Sequence, residues 1–216
     1  MDRRGVASRM PLPLRVLTDF QMAKRAVRFA LGLPTPLATP DRVLFEELIL
    51  PHYSSLPDVH RVLFVGVAWY TRHYPQAYFS NVDLWTVDSD PRARRFGARQ
   101  HVMASLQELA RYFKPGRFDL IVCNGVYGHG LNDKAGCERA FESCYTLLRP
   151  GGYFILGWND SPDYPAAPLD SIVSLQRFVP STFPPLDTWR YRTNTPYAHT
   201  YDFYCRPQSA DSAPSS

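Results

Sequence analysis

The chain has 216 residues, 45% hydrophobic and 20% charged, enough apolar content for one buried core with short additions at its ends. A net charge of +4 without a dense Lys/Arg stripe argues against a dedicated nucleic-acid binder. No apolar run reaches the length of a membrane span, and Pro11 and Pro13 interrupt the basic start before a secretory signal develops, so a cytoplasmic protein is expected. Cys123, Cys137, Cys144 and Cys205 lack the paired spacing of a metal site and are expected to be reduced structural thiols.

Residues 1–60 are expected to form a separate helical or lid segment. Between Leu14 and Leu31, the residues Val16, Leu17, Phe20, Ala23, Val27, Ala30 and Leu31 recur at helical spacing, with Arg15, Lys24, Arg25 and Arg28 among them. This predicts a basic amphipathic helix packed as a lid over the rest, with contact to a membrane surface as the alternative. Pro34, Pro36 and Pro40 predict an extended linker, and Asp41 a capped second helix that Pro51 ends near Leu50.

From Arg61 strand and helix alternate. Val62–Gly66, Leu84–Asp88, a short segment near Val102, Phe118–Asn124 and Tyr153–Trp158 read as five strands, the apolar ones of the buried parallel type. Asp133–Leu148 reads as a helix that Arg149-Pro150-Gly151-Gly152 stops. Leu169–Phe178 suggests a short helix, and Arg92, Arg94, Arg95 and Arg99 a solvated helix face after the second strand. Trp189–Thr193 and Thr200–Cys205 alternate like a hairpin about Asn194–Pro196. The Ser/Pro/Ala-rich stretch 207–216 is expected to be a disordered tail. The fold class expected is α/β: a doubly wound, Rossmann-like sheet, mostly parallel, with an antiparallel C-terminal hairpin and helices on both faces.

Four segments within 61–206 carry a family likeness: Arg61-Val62-Leu63-Phe64-Val65-Gly66, Thr86-Val87-Asp88, Phe118-Asp119-Leu120-Ile121-Val122-Cys123-Asn124 and Leu147-Leu148-Arg149-Pro150-Gly151-Gly152. In order and spacing they resemble the class I S-adenosylmethionine-dependent methyltransferases. The resemblance implies S-adenosylmethionine as cofactor and a small-molecule or biosynthetic methyl acceptor. The cofactor would be held by Val65, Gly66, Val67 and Ala68 after the first strand, and by Asp88 and Ser89 after the second. Ser105 and Leu106 would lie beside the adenine, and Asn124 and Gly125 beside the transferable methyl group. The physical reasons are general: nucleosides bind at the carboxyl ends of parallel strands where strand order reverses, and an acid about 20 residues after the first glycine accepts the ribose hydroxyls.

Two features stand apart. Phe64, Ala68 and Tyr70 occupy positions where the family carries an acid and two further glycines, so the cofactor loop diverges. In Asn124-Gly125-Val126-Tyr127-Gly128-His129-Gly130 a histidine sits among glycines. Methyl transfer is an in-line displacement governed by positioning, with a base needed only when the acceptor must lose a proton, and His129 is the candidate base. His52, His60, His73 and His199 form no ligand spacing, and no metal is expected. The divergent loop leaves a non-catalytic binding or assembly module as the alternative function. A nicotinamide-dependent oxidoreductase is disfavoured, because its Gly-x-Gly-x-x-Gly loop keeps only the first glycine here.

Overall fold

The computed structural model describes residues 12–31 and 37–208. The basic start as far as Pro11, the linker prolines Pro34 and Pro36, and most of the expected tail lie outside the described residues. Among those described, eight strands form one sheet: β1 (Arg61–Val65), β2 (Asp83–Asp88), β3 (Gln100–Met103), β4 (Phe118–Asn124), β5 (Leu148–Asn159), β6 (Val179–Pro180), β7 (Arg190–Arg192) and β8 (His199–Cys205). Their order is β3-β2-β1-β4-β5-β8-β6, with β7 also on β8; the first five run parallel and β8 lies antiparallel to β5. Strand order reverses between β1 and β4, and there the loops leaving the two strands part to open a crevice.

Alternation along each strand divides the core. Leu63, Val65, Ile121, Cys123, Phe154 and Leu156 face α4 (Lys134–Leu147), which contributes Cys137, Ala140, Phe141, Cys144 and Leu147. Val62, Phe64, Leu120, Val122, Ile155, Tyr201 and Phe203 face α2, which spans 40–54. The four cysteines are free thiols, three of them buried in the first layer or beneath it.

Local departures from expectation have local causes. Helix α2 starts after Thr39 rather than at an Asp41 cap, with Pro40 in its first turn. It passes through Pro51, because a π-helical turn at Phe45–Ile49 widens the coil just ahead of the ring before α-helix resumes at Leu50–Ser54. Asp133 caps α4, accepting from the Gly136 N–H at 2.8 Å. At its far end α4 passes straight into β5, and Gly151, at φ +72°, bends the strand instead of making a separate turn. Between β1 and β4 the connections are short: a one-turn helix, α3 (Tyr74–Ala77), and 3₁₀ turns including Pro91–Phe96 and Leu106–Arg111. The expected helix at Leu169–Phe178 resolves into two 3₁₀ turns, Leu169–Ser171 and Leu175–Arg177.

Helix α1 (Leu12–Ala30) packs against α2. Its polar side is the packed one: Arg25 is 5% exposed and pairs with Glu46 at 2.9 Å and Glu47 at 2.8 Å, both on α2. Leu12, Val16, Leu17, Phe20 and Val27 face solvent. The buried Arg25–Glu46 ion pair, with the Tyr74 hydroxyl donating to Glu46 at 2.7 Å, joins α1 to α2 in place of apolar contacts.

Candidate active site

The crevice is built on two glycines. At Gly66 φ is +84°, and a Cβ there would lie 2.9 Å from Val126 Cγ2 and 3.1 Å from the Asn124 carbonyl oxygen, so only glycine lets the β1 and β4 loops approach. At Gly125, φ +73°, an added Cβ would meet open space, leaving bare backbone on the crevice wall. From β2, Asp88 braces the β1 loop: Oδ2 accepts from the Val67 N–H at 3.0 Å and Oδ1 from the Asp90 N–H at 2.9 Å. An ionised carboxylate offers about four acceptor sites, so roughly two remain for a ligand.

The resulting cleft has a volume of about 180 Å³. Of the residues expected from sequence, Val65, Gly66, Asp88, Ser89, Ser105, Leu106, Gly125 and His129 line it. Val67, Ala68 and Asn124 do not; Val67 and Asn124 are turned into the protein, and Ala68 opens the turn Trp69–Thr71, bonded to Thr71 Oγ1 at 3.0 Å. Apolar walls from Leu106, Val126 and Leu131, one carboxylate with spare acceptor sites and an uncovered glycine backbone fit a nucleoside.

The divergent loop positions serve different ends. Phe64 is 3% exposed, packed among Phe45, Tyr74 and Phe79, so the place of the family's acid has become core. Tyr70 lies under the Arg42 guanidinium, 4.5 Å from ring centre to Cζ, and Trp69 is 59% exposed with an edge toward Tyr70. Sequence reasoning missed Arg42, which helix α2 delivers to the cofactor loop.

His129 stands on the rim, its ring 4.6 Å from that of Tyr164, and partial burial lowers its pKa from the ordinary histidine value. It is thus neutral near pH 7 and able to accept a proton. Its Nε2 lies 3.2 Å from Asn159 Nδ2, Asn159 Oδ1 lies 2.6 Å from His199 Nδ1, and His199 Nε2 lies 3.0 Å from Asn124 Oδ1. His199 is 4% exposed, and burial pushes its pKa down to about 4. Gly157 on β5 makes room for this chain, since a Cβ there would fall 2.2 Å from Asn124 Oδ1. No local spacing signals these partners: they come from the ends of β4, β5 and β8, which only the sheet brings together.

A second cavity of about 380 Å³ is walled by Tyr127, Trp158, Asn159, Tyr164 and Pro165, of which Asn159 and Tyr164 contact His129. Asp202, fully buried, fixes the Trp158 indole by accepting from its N–H at 3.2 Å, while Arg190 holds the same carboxylate at 2.5 and 2.6 Å. Among the described residues no group of three or more His, Cys, Asp or Glu side chains is arranged to hold a metal ion. None of their helices is long and apolar enough to cross a membrane.

Residues 65–156 match the family model of a methyltransferase domain. No curated protein sequence matches. Solved structures similar in fold include the N-methyltransferase NodS from Bradyrhizobium japonicum WM9 in complex with S-adenosyl-L-homocysteine, 17% identical with a TM-score of 0.59, covering 76% of this chain and 86% of that one. A TehB-like SAM-dependent methyltransferase from Corynebacterium glutamicum ATCC 13032 Kitasato is 14% identical with a TM-score of 0.54, over 89% of this chain and 99% of that. The Burkholderia thailandensis 1,6-didemethyltoxoflavin-N1-methyltransferase, with bound 1,6-didemethyltoxoflavin and S-adenosylhomocysteine, is 18% identical with a TM-score of 0.51, over 96% and 98%. These comparisons lend no support to a non-catalytic module. The Rossmann-like sheet, the crevice at its switch point and the match of residues 65–156 to a methyltransferase domain together give the chain the fold of the class I S-adenosylmethionine-dependent methyltransferases.

Proposed function

We propose that the chain methylates a small, flat acceptor carrying an ionisable N–H or O–H, bound in the cavity between Trp158 and Tyr164. The observation that carries this is the place of His129: it lines the Asp88 cleft and touches two walls of the second cavity, Asn159 and Tyr164. Asp88 holds the ribose hydroxyls, Ser105 and Leu106 border the base, and Gly66 and Gly125 let the backbone approach. When bound, S-adenosylmethionine supplies an electrophilic methyl group on a sulfonium. His129 takes the acceptor's proton, and its depressed pKa keeps the ring unprotonated until then. Tyr127 and Trp158 flank the acceptor and exclude water. The two N-methyltransferases among the similar folds favour a nitrogen acceptor.

Calorimetry with S-adenosyl-L-homocysteine tests the cofactor half, and the absence of heat at high micromolar concentration would sink it. For the other half, methyl transfer from labelled S-adenosylmethionine is measured across a panel of N-heteroaromatic compounds. The His129→Ala variant is expected to lose about 10²–10⁴-fold in rate, the usual worth of a general base, with the affinity for S-adenosyl-L-homocysteine unchanged. Equal rates with and without His129 would remove it from the chemistry.

For α1 we infer an anionic lipid surface as partner. Leu12, Val16, Phe20 and Val27 form its solvent-facing apolar stripe, with exposed Arg15 on one flank and exposed Lys24 and Arg28 on the other. The charge complements acidic headgroups. The protein should co-sediment with phosphatidylcholine vesicles only when they contain phosphatidylserine, and Phe20→Glu with Val27→Glu should abolish this. Concentration-dependent self-association that the same pair of substitutions removes, without vesicle binding, would instead assign the stripe to a second copy.

A further inference from the structure

Four side chains join the rim of the cleft to the end of β4: His129, Asn159, His199 and Asn124, linked at 3.2, 2.6 and 3.0 Å. Counting donors along them gives a constraint. A neutral imidazole carries one N–H, yet both ring nitrogens of His199 face amide oxygens, those of Asn159 and Asn124. One amide must therefore turn over to present its NH₂ group.

Two arrangements satisfy every link. In the first, the Asn159 NH₂ donates to a bare His129 Nε2, His199 Nδ1–H donates to Asn159 Oδ1, and a turned Asn124 NH₂ donates to His199 Nε2. In the second, His129 Nε2–H donates to a turned Asn159 oxygen, the Asn159 NH₂ donates to His199 Nδ1, and His199 Nε2–H donates to Asn124 Oδ1. Each holds three hydrogen bonds, so neither is favoured by count. They differ at the two ends: in what His129 Nε2 carries, and in whether Asn124 is left with a free oxygen or a free NH₂. Asn124 is 5% exposed, and its Nδ2 is buried without a hydrogen-bond partner among the described residues, the terminus of the second arrangement.

A protonated His129 must donate from Nε2, so it is compatible only with the second arrangement. We propose that Asn159, His199 and Asn124 act as positioning residues in a reversible hydrogen-bond relay, which sets the tautomer of His129 and converts its proton uptake into a change of the group Asn124 presents behind the cleft. The inference deepens the assignment of His129 as base and rests on it. In the neutral state the second arrangement leaves both N–H groups of the buried Asn124 amide without an acceptor, whereas the first uses one of them, so the relay rests in the first, with Nδ1–H on His129. When the ring takes a proton, it gains the Asn159 oxygen as a partner, so the relay supports the product of proton transfer. The groups around His199 are Asp41 and Arg42 from α2, the Tyr197 hydroxyl that donates to Asp41 at 2.9 Å, and the ring of Tyr201 at 4.7 Å; Tyr164 faces His129. Asp41 and Arg42 oppose each other in charge beside His199, and its burial keeps it the neutral, one-proton member on which the count depends.

Imidazole ¹⁵N spectra of the full chain, recorded through a pH titration without cofactor or acceptor, test this directly. The expected result is that the His199 N–H moves from Nδ1 to Nε2 while the ring remains neutral, with the same midpoint as the protonation of His129, and that the Asn124 side-chain amide signal shifts at that midpoint. In Asn159→Leu, His199 should no longer follow His129. Gly157→Ala, which pushes into Asn124, should keep the His129 to Asn159 link but silence the Asn124 response. A His199 tautomer that stays fixed in the wild-type protein while His129 titrates would overturn the relay. Because the readout uses the free protein, failure of cofactor binding and failure of the relay are separate results.

Discussion

Replacing Asp88 by alanine should weaken binding of S-adenosyl-L-homocysteine by at least about 100-fold. Hydrogen bonds to a charged group contribute roughly 1.5–3 kcal/mol each, and two ribose hydroxyls on one carboxylate give about 3 kcal/mol at the low end. Asp88 also accepts from the N–H groups of Val67 and Asp90, so alanine unbraces the β1 loop as well. Asp88→Asn separates the two roles. It retains an oxygen for one backbone donor but loses the charge and one acceptor, so binding should fall by about 10-fold or more on the same scale while thermal stability changes little. Calorimetry gives both affinities. A loss smaller than about fivefold in Asp88→Ala, a difference below about 1 kcal/mol, would mean that the ribose is held elsewhere.

How this site could be anticipated follows from where its parts lie in the chain. Each parallel strand is buried on both faces and therefore appears as an apolar run, which is why Phe118–Asn124 is observed with the bounds read from sequence. Asp88 was visible because it ends such a run at the right distance from Gly66. His129 was visible because glycines surround it, and the structure places it on the cleft. Asn124 was named from sequence as a cofactor-side residue, but the links of the relay were not legible: Asn159 is 30 residues from His129, and Asn124 is 75 from His199. His199, read from sequence as one scattered histidine, acquires its meaning only when β8 inserts antiparallel beside β5 and sets Asn159 opposite it. Misread boundaries share a cause too. Local signals in Pro51 and in Arg149-Pro150-Gly151-Gly152 were overridden by a π turn and by strand pairing. The face by which α1 packs could not be read from its apolar periodicity, because a single arginine, Arg25, is the residue that anchors it.

At the opposite pole of the sheet, Asp119→Ala should cost about 3 kcal/mol of stability, the lower end of the range for breaking a buried ion pair. Asp119 is 2% exposed and gathers the amino ends of three parallel strands. It accepts from the backbone N–H groups of His60 at 3.0 Å and Arg61 at 2.8 Å, from the Arg61 guanidinium at 2.8 Å, and from Arg149 Nε at 3.0 Å. The lower end applies because both arginines are partly exposed and can recover water, whereas the two N–H groups are left without their acceptor. For a chain of this length the loss corresponds to a fall in Tm of roughly 6–12 °C. Burial alone would raise the Asp119 pKa, but the bonds from Arg61 and from the backbone N–H groups of His60 and Arg61 outweigh it, and the carboxyl lies below its ordinary value. A depressed folded pKa favours the folded state at all pH above the unfolded value of about 3.9. That contribution is lost as the pH falls through the folded value. The difference in denaturation free energy between wild type and variant should therefore be constant from neutral pH to about pH 5 and narrow below about pH 4. A gap that widens on acidification would reverse the assigned sign. Since Asp119 lies at the ends of β1, β4 and β5 remote from the cleft, folded Asp119→Ala should bind S-adenosyl-L-homocysteine with wild-type affinity. Together with Asp88→Ala, which should lose affinity at little cost in stability beyond the loop, this contrast separates the two ends of one sheet, one holding the strands in register and the other holding the ligand.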